Sequence, residues 1–388
     1  MNRLSIYLLA LGAFLAGTAE LVVAGILHII ADDMMISIAL AGQLITAYSL
    51  AFAIGTPILV ALTSRMSRKK LLASSLGLFI IGCLVSYWSP GYAVLMVSRI
   101  ILGASAGVFI VVAISSAAKL VPADKMGSAI AMIALGFGSA MALGVPIGIA
   151  VADWSGWRMI FAGLGLVSLL VTAGLIRLLP QIEGDAAGSF KQQFMVLRNP
   201  VVVSGFVISL LLCMSNSIML TYLTPFLLSV LHLQADNIGL MILILGIFGI
   251  FGSRLGGTSA DKYGSVRMIA ITLAASAVSL AFLPLFTALP FIGMALITVW
   301  FFSIFMNAPA LQTYFIQQAP RSSNMVLGIN TSIIHLGIAA GAGAGGLIAE
   351  STATVLHHSW IAGSIAALAL MAAVFSFMIR KKVQSQIV

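Results

Sequence analysis

Read from the N-terminus, the chain alternates long apolar runs with short polar breaks. The runs cover about 4–30, 38–62, 71–89, 92–118, 127–151, 158–180, 200–230, 237–260, 268–289, 291–316, 325–349 and 359–379. A helix rises about 1.5 Å per residue, so about 20 apolar residues cross the roughly 30 Å hydrocarbon core of a bilayer. The runs reach that length, and none shows the ten-residue polar/apolar alternation of a barrel strand. The pattern predicts an all-α integral membrane protein of twelve transmembrane helices.

Most breaks are too short for a soluble domain. The longest, QIEGDAAGSFKQQFMVLRN at 181–199, falls at the midpoint and reads as a cytoplasmic linker. The expected organisation is a six-helix bundle at 1–180, the linker at 181–199 and a second six-helix bundle at 200–388. The breaks also differ in charge. Arg3, the turn SRMSRKK with Arg65, Arg68, Lys69 and Lys70, then Lys119, Lys125, Arg177, Lys191, Arg198, Arg254, Lys262, Arg267, Arg321, Arg380, Lys381 and Lys382 all fall on one side. The other side has Arg158 among Asp32, Asp33, Asp153, Asp236 and Glu350. Lys and Arg stay on the cytoplasmic side of short loops, so both termini are expected there, in a bacterial cytoplasmic membrane.

Composition sharpens this picture. Sixty-one per cent of residues are hydrophobic and 7% charged, against about 25% charged in soluble domains. The net charge of +9 and pI near 9.8 come from the one-sided basic turns, so nucleic acid is not an expected partner. Cys83 and Cys213 lie in apolar runs and read as buried small hydrophobes, with no disulfide framework or metal spacing. The first run is too long for a signal-peptide core and reads as a retained anchor. No G-x-x-x-x-G-K-[ST] loop, metal cluster or nucleophile–base pair is present, so an enzyme, a metal and an organic cofactor are not expected.

The two halves look like copies. Gly55 ends the second run ahead of one basic turn, and Gly252 ends the eighth ahead of another, an offset of 252 − 55 = 197. The same offset carries Gly144, in the glycine-rich fifth run, onto Gly341, in the glycine-rich eleventh.

Inside the oily runs, two formal charges sit deep. Glu20 lies about three residues past the centre of its run and Arg99 about seven residues into the fourth, which puts both about 5 Å beyond the midplane on the outer side. Such residues are costly in hydrocarbon and face a partner or a wet cavity. An arginine nearby favours an ionised carboxylate, and an apolar setting without one favours the protonated form. A proton-coupled carrier needs that behaviour. A static ion pair at Glu20 and a helix-organising role for Arg99, donating to backbone carbonyls, are the structural alternatives.

The offset places Ser217 and Leu296 where the first half has Glu20 and Arg99. The second half offers neutral polar groups instead: Asn216 and Tyr222, Asn307 and Gln312, Asn330 and His335. They are candidates for binding a small-molecule substrate, and each equally fits an interhelical hydrogen bond. In the fifth run Gly144, Pro146 and Gly148 allow close helix approach and bending, which fits a gating contact or ordinary packing.

These residues together resemble the major facilitator superfamily, in its drug:proton antiporter group, and most closely bacterial purine and sugar efflux pumps. The resemblance rests on GTAELVVAGIL (17–27), ISIALAGQLITAYSL (36–50), LMVSRIILGASAG (95–107), ALGVPIG (142–148), GWR (156–158) and GTSADKYG (257–264). It implies two pseudo-symmetric six-helix halves. It also implies a cytoplasmic gating turn of the form G-x-x-x-D-R-x-G-R-[RK]. The first-half copy departs at Val60, Ser64 and Ser67, keeping Arg65, Arg68 and Lys69; the second keeps Gly257, Asp261, Lys262 and Gly264. Arg99 and Gly103 match R-x-x-x-G, for which the family implies a part in proton transfer. The antiporter motif G-P-x-x-G-G is approximated by Gly144, Val145, Pro146 and Gly148.

The expected function is proton-coupled efflux of a small organic solute by alternating access, with purine bases or nucleosides favoured. Multidrug or sugar export is next, then a uniporter or importer without proton coupling. Protons, the solute and the bilayer are the expected partners of a monomer.

Overall fold

The computed structural model describes residues 3–122, 125–184 and 196–385. Twelve of its helices are long and apolar enough to cross a membrane. In chain order they are α1 (Leu4–Gly25), α2 (Ile38–Leu62), α3 (Arg68–Tyr87), α4 (Tyr92–Leu120), α5 (Met126–Ser155), α6 (Arg158–Leu178), α7 (Pro200–Thr221), α8 (Ala235–Tyr263), α9 (Ser265–Phe286), α10 (Pro290–Gln318), α11 (Met325–Thr352) and α12 (His357–Arg380). Among the described residues there is no strand. In hydrocarbon every backbone donor and acceptor must be satisfied within the segment, and a helix does this alone. The all-α membrane fold expected from the hydropathy pattern is thus observed.

The chain divides into two compact units, 1–187 and 188–388. Most of the expected linker, including Lys191, lies outside the described residues. In the first unit α1 packs on α5 and α6, α2 on α4, and α3 on α4 and α6. In the second, α7 packs on α11 and α12, α8 on α10, and α9 on α10 and α12. The same five pairings therefore recur. Glycines recur with them. A Cβ at Gly144 or Gly148 of α5 would run into Thr18 or Val22 of α1; one at Gly341 or Gly345 of α11 would meet Met214 and Ser217 or Tyr222. Each pair is 197 apart, so one close helix contact was built twice.

Local chemistry explains the irregularities. Two spans contain a π-helical turn, Ala51–Gly55 in α2 and Ala140–Gly144 in α5. Pro57 and Pro146 follow, each two residues beyond the end of its π turn. Proline lacks an N–H and collides with the carbonyl four residues back, and a π turn relieves that collision. The runs expected at 4–30 and 200–230 are each broken once. The breaks fall at Ile26 (φ −110, ψ 19) and Tyr222 (φ −106, ψ 16), and the short helices Leu27–Asp33 and Leu223–Ser229 follow. Pro225 forces the second break by the same rule, since its collision would be with Thr221. Gly156 and Gly264 end α5 and α8 at φ +86 and +88, which only glycine adopts without strain.

Each unit keeps an apolar core. In the second, Val202, Phe206, Leu273, Tyr314 and Phe315 pack from α7, α9 and α10. Large apolar side chains such as Leu166, Leu170, Phe251 and Ile271 face outward, as helices covered by acyl chains require.

Candidate functional site

The deep charges of the first unit meet where α1, α2 and α4 come together. Arg99 is fully buried and Glu20 is 5% exposed. Arg99 Nη1 donates to the Ala19 carbonyl at 2.8 Å and Nε to the Leu44 carbonyl at 3.4 Å. Its guanidinium lies 4.6 Å from the centroid of the Tyr48 ring. The Tyr48 hydroxyl donates to the Ala16 carbonyl of α1 at 3.2 Å. Arg99 thus joins α4 to α1 and α2, and Tyr48 joins α2 to α1. Glu20 directly follows Ala19, whose carbonyl takes the Arg99 bond, and is buried on the same turn of α1.

Backbone approach makes this geometry available. At Gly103, one turn after Arg99, an added Cβ would collide with the Tyr48 carbonyl oxygen. A bare α carbon there lets α4 lie directly against α2 at Tyr48. The pair Arg99 and Gly103 then has a simple physical meaning: the glycine sets the helix spacing that brings the arginine over the ring. Cation–π attraction contributes about 1–2 kcal/mol when desolvated. Arg99 Nη2 is buried with no hydrogen-bond partner among the described residues. An unsatisfied buried donor on a charged group is costly, so the site retains a donor for a further acceptor.

Sequence reasoning passed over Tyr48, though the clue was present. Tyr48 is two residues from the middle of Ile38–Leu62, about 3 Å from the centre of its span. Its depth was that clue, but the cost of a buried charge, which picks out Glu20 and Arg99, does not extend to a neutral ring.

In the second unit, Ser217, at the position equivalent to Glu20, donates to the Ile338 carbonyl at 2.8 Å. The substrate candidates have local ties. Tyr222 is fully buried; its hydroxyl donates to the Ala342 carbonyl at 3.1 Å and its ring lies 4.7 Å from that of His358. Asn307 Nδ2 donates to Thr272 Oγ1 at 2.6 Å. His335 Nδ1 is 2.9 Å from the Thr331 carbonyl one turn back. Asn216, Asn307 and Asn330 each keep a buried Oδ1 without a hydrogen-bond partner among the described residues. Gln312 is exposed. His358, not anticipated, is buried with Nε2 2.8 Å from the Gly345 carbonyl.

The gating candidates divide. Arg65 is exposed, Lys69 is half-buried and Arg68 is buried, with its backbone N–H donating to the Ile182 carbonyl at 2.9 Å. Asp261 and Lys262 are exposed, Gly257 has open space where a Cβ would be, and Gly264 makes the turn. Gly144 and Gly148 press on α1 inside the first unit, and Pro146 follows the π turn.

At the expected outer end of the first unit, Arg158 Nη1 and Trp157 Nε1 both donate to Asp33 Oδ2, at 2.7 and 3.1 Å. Arg158 Nη2 also donates to the Ser89 carbonyl at 3.3 Å. These bonds from Arg158 first, then Trp157, hold the Asp33 carboxyl below the ordinary aspartate range. Among the described residues no cluster of three or more His, Cys, Asp or Glu could hold a metal.

Residues 9–342 match the family model described as Major Facilitator Superfamily. The uncharacterised MFS-type transporter YbcL of Bacillus subtilis (strain 168) is 34% identical over 377 residues, covering 97% of this chain and 96% of that protein. YtbD of the same organism, also an uncharacterised MFS-type transporter, is 30% identical over 383 residues, covering 96% of this chain and 95% of its own. Among solved structures, a D-xylose–proton symporter superposes with a TM-score of 0.80 at 17% identity, covering 97% of both chains. A bacterial homologue of the human lysosomal transporter Spinster superposes at 0.77 and 15% identity, covering 97% of this chain and 96% of that one. At these identities the structural likeness speaks for the fold.

Proposed function

Since this chain belongs to the major facilitator superfamily and is a multi-pass membrane transporter, we propose that it exports a small organic solute in exchange for protons by alternating access. The observation that carries this reading is the buried group of Glu20, Arg99 and Tyr48 in an otherwise apolar bundle. A carboxylate there gains or loses a proton depending on whether water and the guanidinium reach it. In this reading Glu20 takes the proton and Arg99 governs it. Asn216, Tyr222, Asn307, Gln312, Asn330 and His335 supply neutral groups for the solute. The orphaned amide oxygens of Asn216, Asn307 and Asn330 support that role, because each is an acceptor waiting for a donor.

Purine bases or nucleosides are the favoured solutes, from the resemblance of AELVVAGIL and ALGVPIG to purine efflux pumps. Both termini face the cytoplasm, from the one-sided basic turns. The turns bearing Arg65, Arg68, Lys69 and Asp261 with Lys262 act as gates on that side, with the bend at Pro146.

The test is transport in proteoliposomes under an imposed pH gradient, with a panel of purines, sugars and cationic drugs. Export of a purine that follows the gradient in the wild type and vanishes in Glu20→Gln, with solute binding kept, is expected. Transport that ignores the gradient, or a Glu20→Gln variant that still follows it, overturns the coupling. Gradient-driven export of a sugar or drug in place of purines overturns the solute assignment alone.

A further inference from the structure

A groove of about 530 Å³ opens on the surface of the second unit, between the start of α7 and the end of α12. That volume lies within the roughly 300–1,000 Å³ typical of sites for small ligands. Val203, Val207, Phe375 and Ile379 form its walls, and Arg198 stands at one end. Ser204 is the lining hydroxyl, and it is already engaged. Its Oγ is 2.9 Å from the Val201 carbonyl and 2.7 Å from Ser376 Oγ, which is itself 2.8 Å from the Tyr314 hydroxyl. The groove therefore presents one cation and a long apolar wall.

Its dimensions suit one leaflet. Pro200 to Val207 is eight residues of helix, about 10 Å from first to last, against about 15 Å for half of the hydrocarbon core. Phe375 is 58% exposed and Val207 43%, so the walls lie open to whatever surrounds the helix. A second guanidinium is nearby: Arg380 directly follows Ile379, and its Nε is buried with no hydrogen-bond partner among the described residues. Among the described residues no carboxylate pairs with Arg198. A soluble anion would leave 10 Å of apolar wall bare, and a neutral acyl chain would leave the cation unmatched. One molecule that answers both is an amphiphile with an anionic head.

We propose that this groove holds one anionic phospholipid, with its phosphate at Arg198 and an acyl chain along Val203, Val207, Phe375 and Ile379. The proposal does not depend on the solute or on proton coupling. It is tested on the full chain, stripped of lipid in a neutral detergent, by following the thermal unfolding midpoint. Phosphatidylglycerol is compared with phosphatidylcholine of the same acyl chains, and with glycerol phosphate. Phosphatidylglycerol is expected to raise the midpoint by several degrees more than phosphatidylcholine, and glycerol phosphate to leave it unchanged. Arg198→Gln should lose that excess, and Arg198→Lys should keep most of it. Val207→Trp, which fills the groove and keeps the charge, should lose it too and serves if Arg198→Gln yields no folded protein. Equal response to the two lipids, an excess retained in Arg198→Gln or Val207→Trp, or a full effect of glycerol phosphate overturns the assignment.

Discussion

The guanidinium of Arg99 rests 4.6 Å from the centre of the Tyr48 ring, and that ring is itself anchored through its hydroxyl to Ala16. Three helices contribute to this one stack. Its two halves can be separated by mutation. Tyr48→Phe removes the bond to Ala16 and keeps the ring, so the loss expected is about 1 kcal/mol. Tyr48→Leu removes the ring as well and adds about 1–2 kcal/mol more. Unfolding in detergent measures both, and equal destabilisation by the two variants would mean that the ring contributes nothing to holding Arg99.

Arg99→Lys keeps the charge and discards the planar fork. An ammonium is a compact donor that cannot reproduce the paired reach to Ala19 and Leu44 over an aromatic face. A loss of about 1–3 kcal/mol is expected from weakened charge-assisted bonds, together with a displaced pH profile for solute binding. A profile that superimposes on that of the wild type would leave Arg99 with a purely architectural role.

Gly103→Ala tests the spacing that the stack needs. Its methyl group would meet the Tyr48 carbonyl, and overpacking of this kind costs about 1–3 kcal/mol. Gly77→Ala is the control, because nothing lies within 4 Å of a Cβ there. Alanine is the better helix former by up to about 1 kcal/mol, so this control is expected to be neutral or stabilising. Two variants that unfold alike would mean that the close α2–α4 approach at Gly103 adds nothing to stability.

Asp33 gives a pH dependence outside the membrane spans. Its carboxyl titrates below the ordinary range because Arg158 and Trp157 bond the ionised form. A lowered folded-state value means that the unfolded chain takes up the proton first. The stabilisation is therefore complete above about pH 4 and disappears as pH falls through the lower folded value. The site is largely exposed, so no more than about 1 kcal/mol is expected. Asp33→Asn should lose this contribution at neutral pH and show less acid sensitivity below pH 4, read from unfolding midpoints. A variant as acid-sensitive as the wild type would place the effect elsewhere.

The spans were legible because composition decides them. The limits of α2 were read as 38–62 and are Ile38–Leu62. Hydropathy is blind to backbone breaks inside an apolar run, so the interruptions at Ile26 and Tyr222 went unread. Pro225 was the available sign for the second. The meeting of Arg99 with α1 beside Glu20 could be anticipated from matched depth, since charges in hydrocarbon have few places to go. Tyr48 could not be singled out in the same way: an aromatic ring in an oily helix ordinarily reads as packing. The ties of Asn307 to Thr272 and of Tyr222 to Ala342 depend on which helix faces which, and periodicity in a chain apolar on nearly every side does not encode that.

The bonds from Arg99 to the carbonyls of α1 and α2 have a mechanical corollary. One side chain rivets three rods at a single level, so none of them can slide or roll there by itself. A disturbance at that rivet is therefore shared by all three rods. Within the N-terminal bundle, these three helices are tied together at the depth of Arg99.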